Sequence, residues 1–123
     1  MSENDESGIN WPVQTFKDDP EKLQRHFNER KEHGFSFADW WSFDTYIAGV
    51  IGKAVADFRD NGTGFPGNMT EESFKVACTE ISEPLLKYAD QKFTLGTEES
   101  EQAYLDAVKA MVRFSENLGW WWD

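Results

Sequence analysis

Seven apolar side chains across one short stretch constrain this chain more than any other feature. Phe43, Ile47, Val50, Ile51, Ala54, Val55 and Phe58 stand at offsets 0, 4, 7, 8, 11, 12 and 15. A helix with 3.6 residues per turn gathers that spacing onto one broad face, whereas a strand would scatter it over both sides. Gly49 and Gly52 interrupt the stripe. Each costs about 1 kcal/mol of helix propensity relative to alanine, so close approach of another backbone is the expected reason for them.

A stripe of that width needs helical partners, and the flanking sequence supplies start and stop signals for three. Asp19-Pro20 has the form of a helix start, an acid to cap free amides followed by proline at the first helical position. The helix it opens runs to His33, carries only Leu23 and Phe27 as a clear apolar pair, and stops at Gly34, which predicts a short, mostly solvated element. Ser36-Phe37-Ala38-Asp39 reads as a capping box with Asp in place of Glu. After Asn61-Gly62 comes a loop rich in glycine and proline, Gly62 to Asn68. Thr70 then caps a helix whose stripe is Phe74, Ala77, Cys78, Ile81, Leu85 and Tyr88, in phase through Pro84, which predicts a kink. Thr97-Glu98-Glu99-Ser100 repeats the letters of Thr70 to Ser73 and opens a last helix with Ala103, Ala107, Ala110, Met111, Phe114 and Leu118, ending at Gly119. Nothing reads as a strand. The expectation is an all-α fold: a small bundle of about four helices with a kinked third helix and a Gly/Pro-rich loop between the two central ones. Residues 1–10 are expected to form a flexible acidic tail and residues 11–123 a single helical domain.

Charge narrows the range of partners. Twenty-three Asp and Glu against twelve Lys and Arg give a net charge of −11. Such a field repels phosphate backbones and anionic lipid, so neither direct nucleic-acid binding nor membrane binding is expected. A lone cysteine, Cys78, forms no internal disulfide, and the acidic start Met1 to Glu6 is unlike a targeting signal. No apolar run approaches the roughly 20 residues that span a bilayer. A cytoplasmic setting is the expectation. One cysteine and two histidines do not close a four-ligand zinc site, and no metal or cofactor is expected.

Asp39-Trp40-Trp41-Ser42-Phe43-Asp44, followed by Ala48, Ile51, Phe58-Arg59 and Gly64-Phe65-Pro66, resembles a family of small bacteriophage proteins. Their signature is a Trp-Ser-[Leu/Phe]-Asp stretch opening a helix, a basic residue at its end, and a Gly-[Tyr/Phe]-Pro loop. The likeness covers about residues 34–74; the family's proline in mid-helix is missing, with Gly52 or Lys53 near its place. The resemblance implies a phage gene acting in the cytoplasm of an infected bacterium. Small accessory phage genes often act against host defences, as inhibitors or as ligand-trapping sponges.

Candidate ligand-binding residues follow from chemistry. Trp40 and Trp41 offer stacking surfaces and Asp44 an acceptor for a base or ribose; the plainer reading is that Ser42 and Asp44 cap a helix while Trp41 packs on Phe65. Thr63 and Phe65 sit in the glycine loop, whose amides suit an anion, although the Lys-Ser/Thr of a nucleotide P-loop is missing. Lys53 and Arg59 are the nearest cations, or else ordinary helix charges. Trp120, Trp121 and Trp122 point about 100° apart on a helix, so one short helix does not bury all three. Either the tail leaves the helix and covers the core, or some rings meet a second subunit or a ligand; a homo-oligomer is expected.

Three functions compete. The first is a non-enzymatic counter-defence sponge that sequesters an anionic nucleotide-like signal. The second is an acidic inhibitor that binds a host defence protein by imitating nucleic acid. The third is a Mg²⁺-dependent all-α nucleotide pyrophosphohydrolase, motivated by the pairs Glu29/Glu32, Asp57/Asp60 and Glu80/Glu83. No Ser/His/Asp or Cys/His nucleophile arrangement is legible, so no catalytic residue is assigned.

Overall fold

The computed structural model describes residues 19–91 and 93–122, apart from the side chain of Trp41. The expected tail, residues 1–10, lies outside them. The fold is all-helical: among the described residues helix is the only regular secondary structure, without a strand. Helix α1 spans Pro20–His33, α2 Phe43–Asn61, α3 Glu71–Asp90 and α4 Glu98–Glu116. A 3₁₀ turn, Phe37–Ser42, precedes α2, and a second, Leu118–Trp120, follows α4. The chain divides into two compact units, one up to Ile47 and one from Ala48.

In the first unit, α1 begins and ends as its residue types dictate. The Asp19 carboxylate accepts the Lys22 amide at 3.1 Å, with Pro20 in the first turn. Gly34 takes the left-handed conformation at φ 85°, and its amide returns to the Arg30 carbonyl at 2.8 Å. The expectation of a mostly solvated helix holds, with nine of its fourteen residues exposed, but its inward face is more than the expected apolar pair. Leu23 is buried, but so are His26 and Arg30, while Phe27 is half-buried. The inward face of α1 is completed by polar side chains that have partners, which an apolar pattern does not register.

The core of the second unit lies between α3 and α4. Phe74, Ala77, Cys78, Ile81, Leu85 and Ala89 are buried on α3, and Ala103, Ala107 and Ala110 on α4. Small side chains on α4 let the two axes approach. Helix α3 continues through Pro84, whose missing N–H removes the helical donor that would serve the Glu80 carbonyl. Of the stripe expected on α2 only Val55 is fully buried; Ile47, Val50, Ile51 and Phe58 are half-buried and Phe43 and Ala54 exposed, which corrects the expectation of one broad buried face. A Cβ added to Gly52 would stand 3.1 Å from the Leu85 Cβ and 3.0 Å from the Leu86 Cγ. Close passage of α2 over α3 therefore accounts for that glycine. Both long helices start on reciprocal caps: Thr70 Oγ1 accepts the Ser73 amide at 3.0 Å, and Thr97 Oγ1 the Ser100 amide at 3.2 Å.

The three C-terminal tryptophans have different fates. After α4 the chain turns, and the Trp121 ring stacks on Phe114 with centroids 5.2 Å apart and planes at 16°. It also meets Phe58 at 5.8 Å and Phe74 at 6.0 Å, and its indole N–H donates to the Phe114 carbonyl at 3.1 Å. Trp120 meets Phe74 edge-on at 6.1 Å. Trp122 is 77% exposed. The tail thus leaves the helix and lays two rings over its own unit, while the third faces solvent.

Candidate functional site

The most constructed feature of the first unit is the 3₁₀ turn between α1 and α2. Ser36 and Asp39 form its capping box: Asp39 Oδ2 accepts the Ser36 amide at 2.7 Å, and Ser36 Oγ accepts the Asp39 amide at 3.2 Å. The same carboxylate receives Arg30 in a fork, Nε to Oδ2 at 3.0 Å and Nη2 to Oδ1 at 2.7 Å. The two side chains are 1% and 0% exposed. The guanidinium carbon lies 4.7 Å from the Tyr46 ring centroid, and the Tyr46 hydroxyl donates to the Gly34 carbonyl. Taking both charges out of water costs several kcal/mol per ion, recovered only where geometry is good and the remaining polar atoms are bonded. Here fork, cap and ring supply that geometry, so a turn of six residues is held in one conformation.

His26 Nδ1 is hydrogen-bonded to Ser36 Oγ, and its Nε2 lies 4.0 Å from Asp39 Oδ1. Serine, histidine and aspartate therefore converge, an arrangement the sequence did not suggest. It does not form a nucleophile. Ser36 is 0% exposed, so its oxygen meets no substrate. The Asp39 carboxylate is committed to Arg30, and 4.0 Å exceeds hydrogen-bond range to the imidazole. The cluster is architectural.

What this architecture presents is aromatic. Phe37 and Trp40 are 63% and 62% exposed, with ring centroids 4.9 Å apart and planes at 33°. Phe35 and Phe43, also exposed, meet edge-to-face at 6.2 Å. Four exposed aromatic rings within nine residues, carried on a locked turn, form the kind of patch that marks a contact surface. Asp44 follows, exposed, in the first turn of α2.

The other expected ligand residues lie in the second unit. Lys53, Thr63 and Phe65 are exposed. Arg59 is turned to its own chain: Nε donates to Asp60 Oδ1 at 2.8 Å, Nη2 to Oδ2 at 3.2 Å, and Nη1 to Thr79 Oγ1 at 3.0 Å. The bond to Asp60 raises the Arg59 pKa and lowers that of Asp60. Thr79 lines a shallow depression of about 500 Å³ along α3, together with Glu71, Glu72, Lys75, Val76 and Glu80. Three carboxylates against one lysine, itself 3.4 Å from Glu71, make this surface unfavourable to an anion.

In each carboxylate pair at least one acid has a partner within the chain. Glu29 accepts the Phe37 amide at 3.3 Å, Asp57 accepts the Asn61 side chain at 2.7 Å, and Glu80 lies 3.5 Å from Arg113. Among the described residues no three acids, histidines or cysteines gather as a metal would require.

Cys78 is fully buried, and burial pushes its thiol up to about 11. An acid group with a raised folded pKa binds more protons folded than unfolded. Its contribution is therefore complete below the unfolded value and is lost as pH rises through the folded one. Between about pH 9 and 11 the chain is expected to lose stability, and Cys78→Ala to flatten that part of the profile. Urea melts at stepped pH, with native-state alkylation kinetics, measure both; fast alkylation of the folded chain at pH 8 would contradict the burial.

Sequence reasoning singled out Trp40 and the Ser36–Asp39 capping box, but missed Phe37 as an exposed ring and the closing of His26, Arg30 and Tyr46 around that box. One signal was available: an acid at the third position of a capping box, nine residues after an arginine on the preceding helix. Set against protein-family models, curated proteins and solved structures, the chain matches none.

Proposed function

We propose that this chain is a counter-defence binding protein of a bacteriophage that docks on a host defence protein and acts as its acidic inhibitor. The observation that carries the reading is the exposed Phe37–Trp40 pair on a turn locked by a buried ion pair. Rigid aromatic anchors bring large contact area at low entropic cost, and they dominate protein interfaces where they occur. The net charge of −11 selects a basic partner surface and speeds encounter with it. The resemblance of residues 34–74 to small phage proteins supplies the biological setting.

A sponge for a nucleotide-like signal draws on the same pair, because a base stacks on aromatic rings for about 1–3 kcal/mol. It is less favoured because the cation nearest the glycine loop in sequence, Arg59, already holds Asp60.

The test is phage plating on bacteria carrying a panel of defence systems, with the chain expressed in trans. Rescue on at least one system is expected, lost in Phe37→Ala/Trp40→Ala while circular dichroism stays unchanged. Rescue indifferent to that double change, or no rescue on any system, overturns the reading. Calorimetry with cyclic nucleotides and ADP-ribose derivatives separates the sponge: heat of binding from one of them would favour it.

A further inference from the structure

Helix α4 is apolar on two sides. Ala103, Ala107 and Ala110 are buried in the contact with α3. Away from them Tyr104, Leu105, Val108 and Val112 are 53%, 46%, 42% and 47% exposed. Residues 104, 108 and 112 follow one another at i, i+4 and i+8, so they align as a single stripe more than two turns long, with Leu105 beside it. Tyr104 leans on Tyr88, with ring centroids 6.1 Å apart. A helix face turned to water ordinarily carries charge, and four large apolar side chains in a row there mark a contact surface.

The charges around the stripe say what would cover it. On α4 stand Glu98, Glu99, Glu101, Asp106 and Glu116 against Lys109 and Arg113, and Arg113 lies 3.5 Å from Glu80 of α3. Glu101 and Glu116 bracket the stripe, and by helical spacing Glu98 and Glu116 share one of its flanks with the single cation Lys109, so acids outnumber bases around it. A second copy of the chain would bring an equally acidic helix to the contact, and like charges would oppose the pairing. A helix of opposite sign does not meet that obstacle.

We propose that this face of α4 docks a basic amphipathic helix of a partner protein, its apolar stripe over Tyr104, Leu105, Val108 and Val112 and its Lys or Arg side chains toward Glu98, Glu101 and Glu116. The mode is the pairing of an amphipathic helix with an apolar surface, with charge setting the choice of partner. This surface belongs to the second unit and does not depend on the aromatic turn; either stands if the other proves idle.

The experiment uses the full chain, isotope-labelled, and two synthetic peptides of about 14 residues, roughly four helical turns. Both carry leucine at helical spacing; one has lysine on its flanks, the other glutamate. The lysine peptide is expected to bind with amide shifts concentrated between residues 101 and 116, and the glutamate peptide not to bind. Val108→Asp is expected to weaken binding about tenfold although it adds a negative charge, because it removes an apolar contact from the middle of the stripe. An association driven by charge alone would tighten instead, and that would overturn the proposal. So would shifts spread over the other carboxylates, equal binding of both peptides, or a dimer by sedimentation that Val108→Asp dissociates. Should Val108→Asp lose helicity, Val112→Ser is the second variant, expected to weaken binding with the fold intact; unchanged binding there also overturns it.

Discussion

Asp39→Ala is expected to destabilise the first unit by about 3–5 kcal/mol. The carboxylate receives two nitrogens of Arg30 and the Ser36 amide at once, all in a site with almost no solvent. Truncation leaves the guanidinium buried without its counter-charge, and that penalty exceeds what the pair contributes when intact. Two controls separate the causes. Asp39→Asn keeps an acceptor for Ser36 but loses the charge, and should fall between wild type and alanine. Arg30→Met combined with Asp39→Leu removes both ions together and should recover much of the loss. Hydrogen exchange at amides 23–46 reads the first unit directly, and a urea melt followed by far-ultraviolet dichroism reads the chain. A cost below about 1 kcal/mol for Asp39→Ala would mean that water reaches the site and that the turn is not held by this pair.

Trp121→Ala is expected to cost about 3 kcal/mol, toward the lower end for a large aromatic side chain because the ring is only half-buried. It removes the stack on Phe114, the contacts with Phe58 and Phe74, and the donor to the Phe114 carbonyl. That carbonyl belongs to the last turn of α4, where backbone acceptors lack helical donors, so the indole also serves as a side-chain cap. Trp122→Ala, one residue further, should change stability by no more than about 0.5 kcal/mol. Thermal unfolding of the two variants side by side is the measurement. Equal effects would show that the tail acts as one hydrophobic mass and that the position of the ring is immaterial.

The two predictions fall on features with different visibility in the sequence. Helix starts and stops were legible because capping is local: Asp19-Pro20, Thr70 with Ser73, Thr97 with Ser100, and Gly34 all stand where their residue types suggested. The stripe on α3 was legible because five of its six members are buried and the sixth, Tyr88, is half-buried. The clamp was not legible. Asp39 was legible as a capping acid, but Arg30 stands nine residues before it across a glycine turn, and in a chain this charged it looks like one more solvated side chain. Their burial depends on the path of the turn, which periodicity does not encode. Phe37 escaped notice for a related reason, standing inside a capping motif where attention falls on the caps. For the tryptophan tail the alternatives were correctly framed, but the choice needed the position of Phe58, which comes from a different helix.

The turn at 36–40 also divides its labour residue by residue. Ser36, Ala38 and Asp39 face inward, while Phe37 and Trp40 face out. Side chains that hold the shape and side chains that would meet a partner are therefore different members of one short segment. Changing the outward pair leaves the inward bonds untouched, so the exposed rings are free to drift in sequence at little cost to folding. If the pair is the docking surface proposed above, such a segment is an adjustable reading head on a fixed mount.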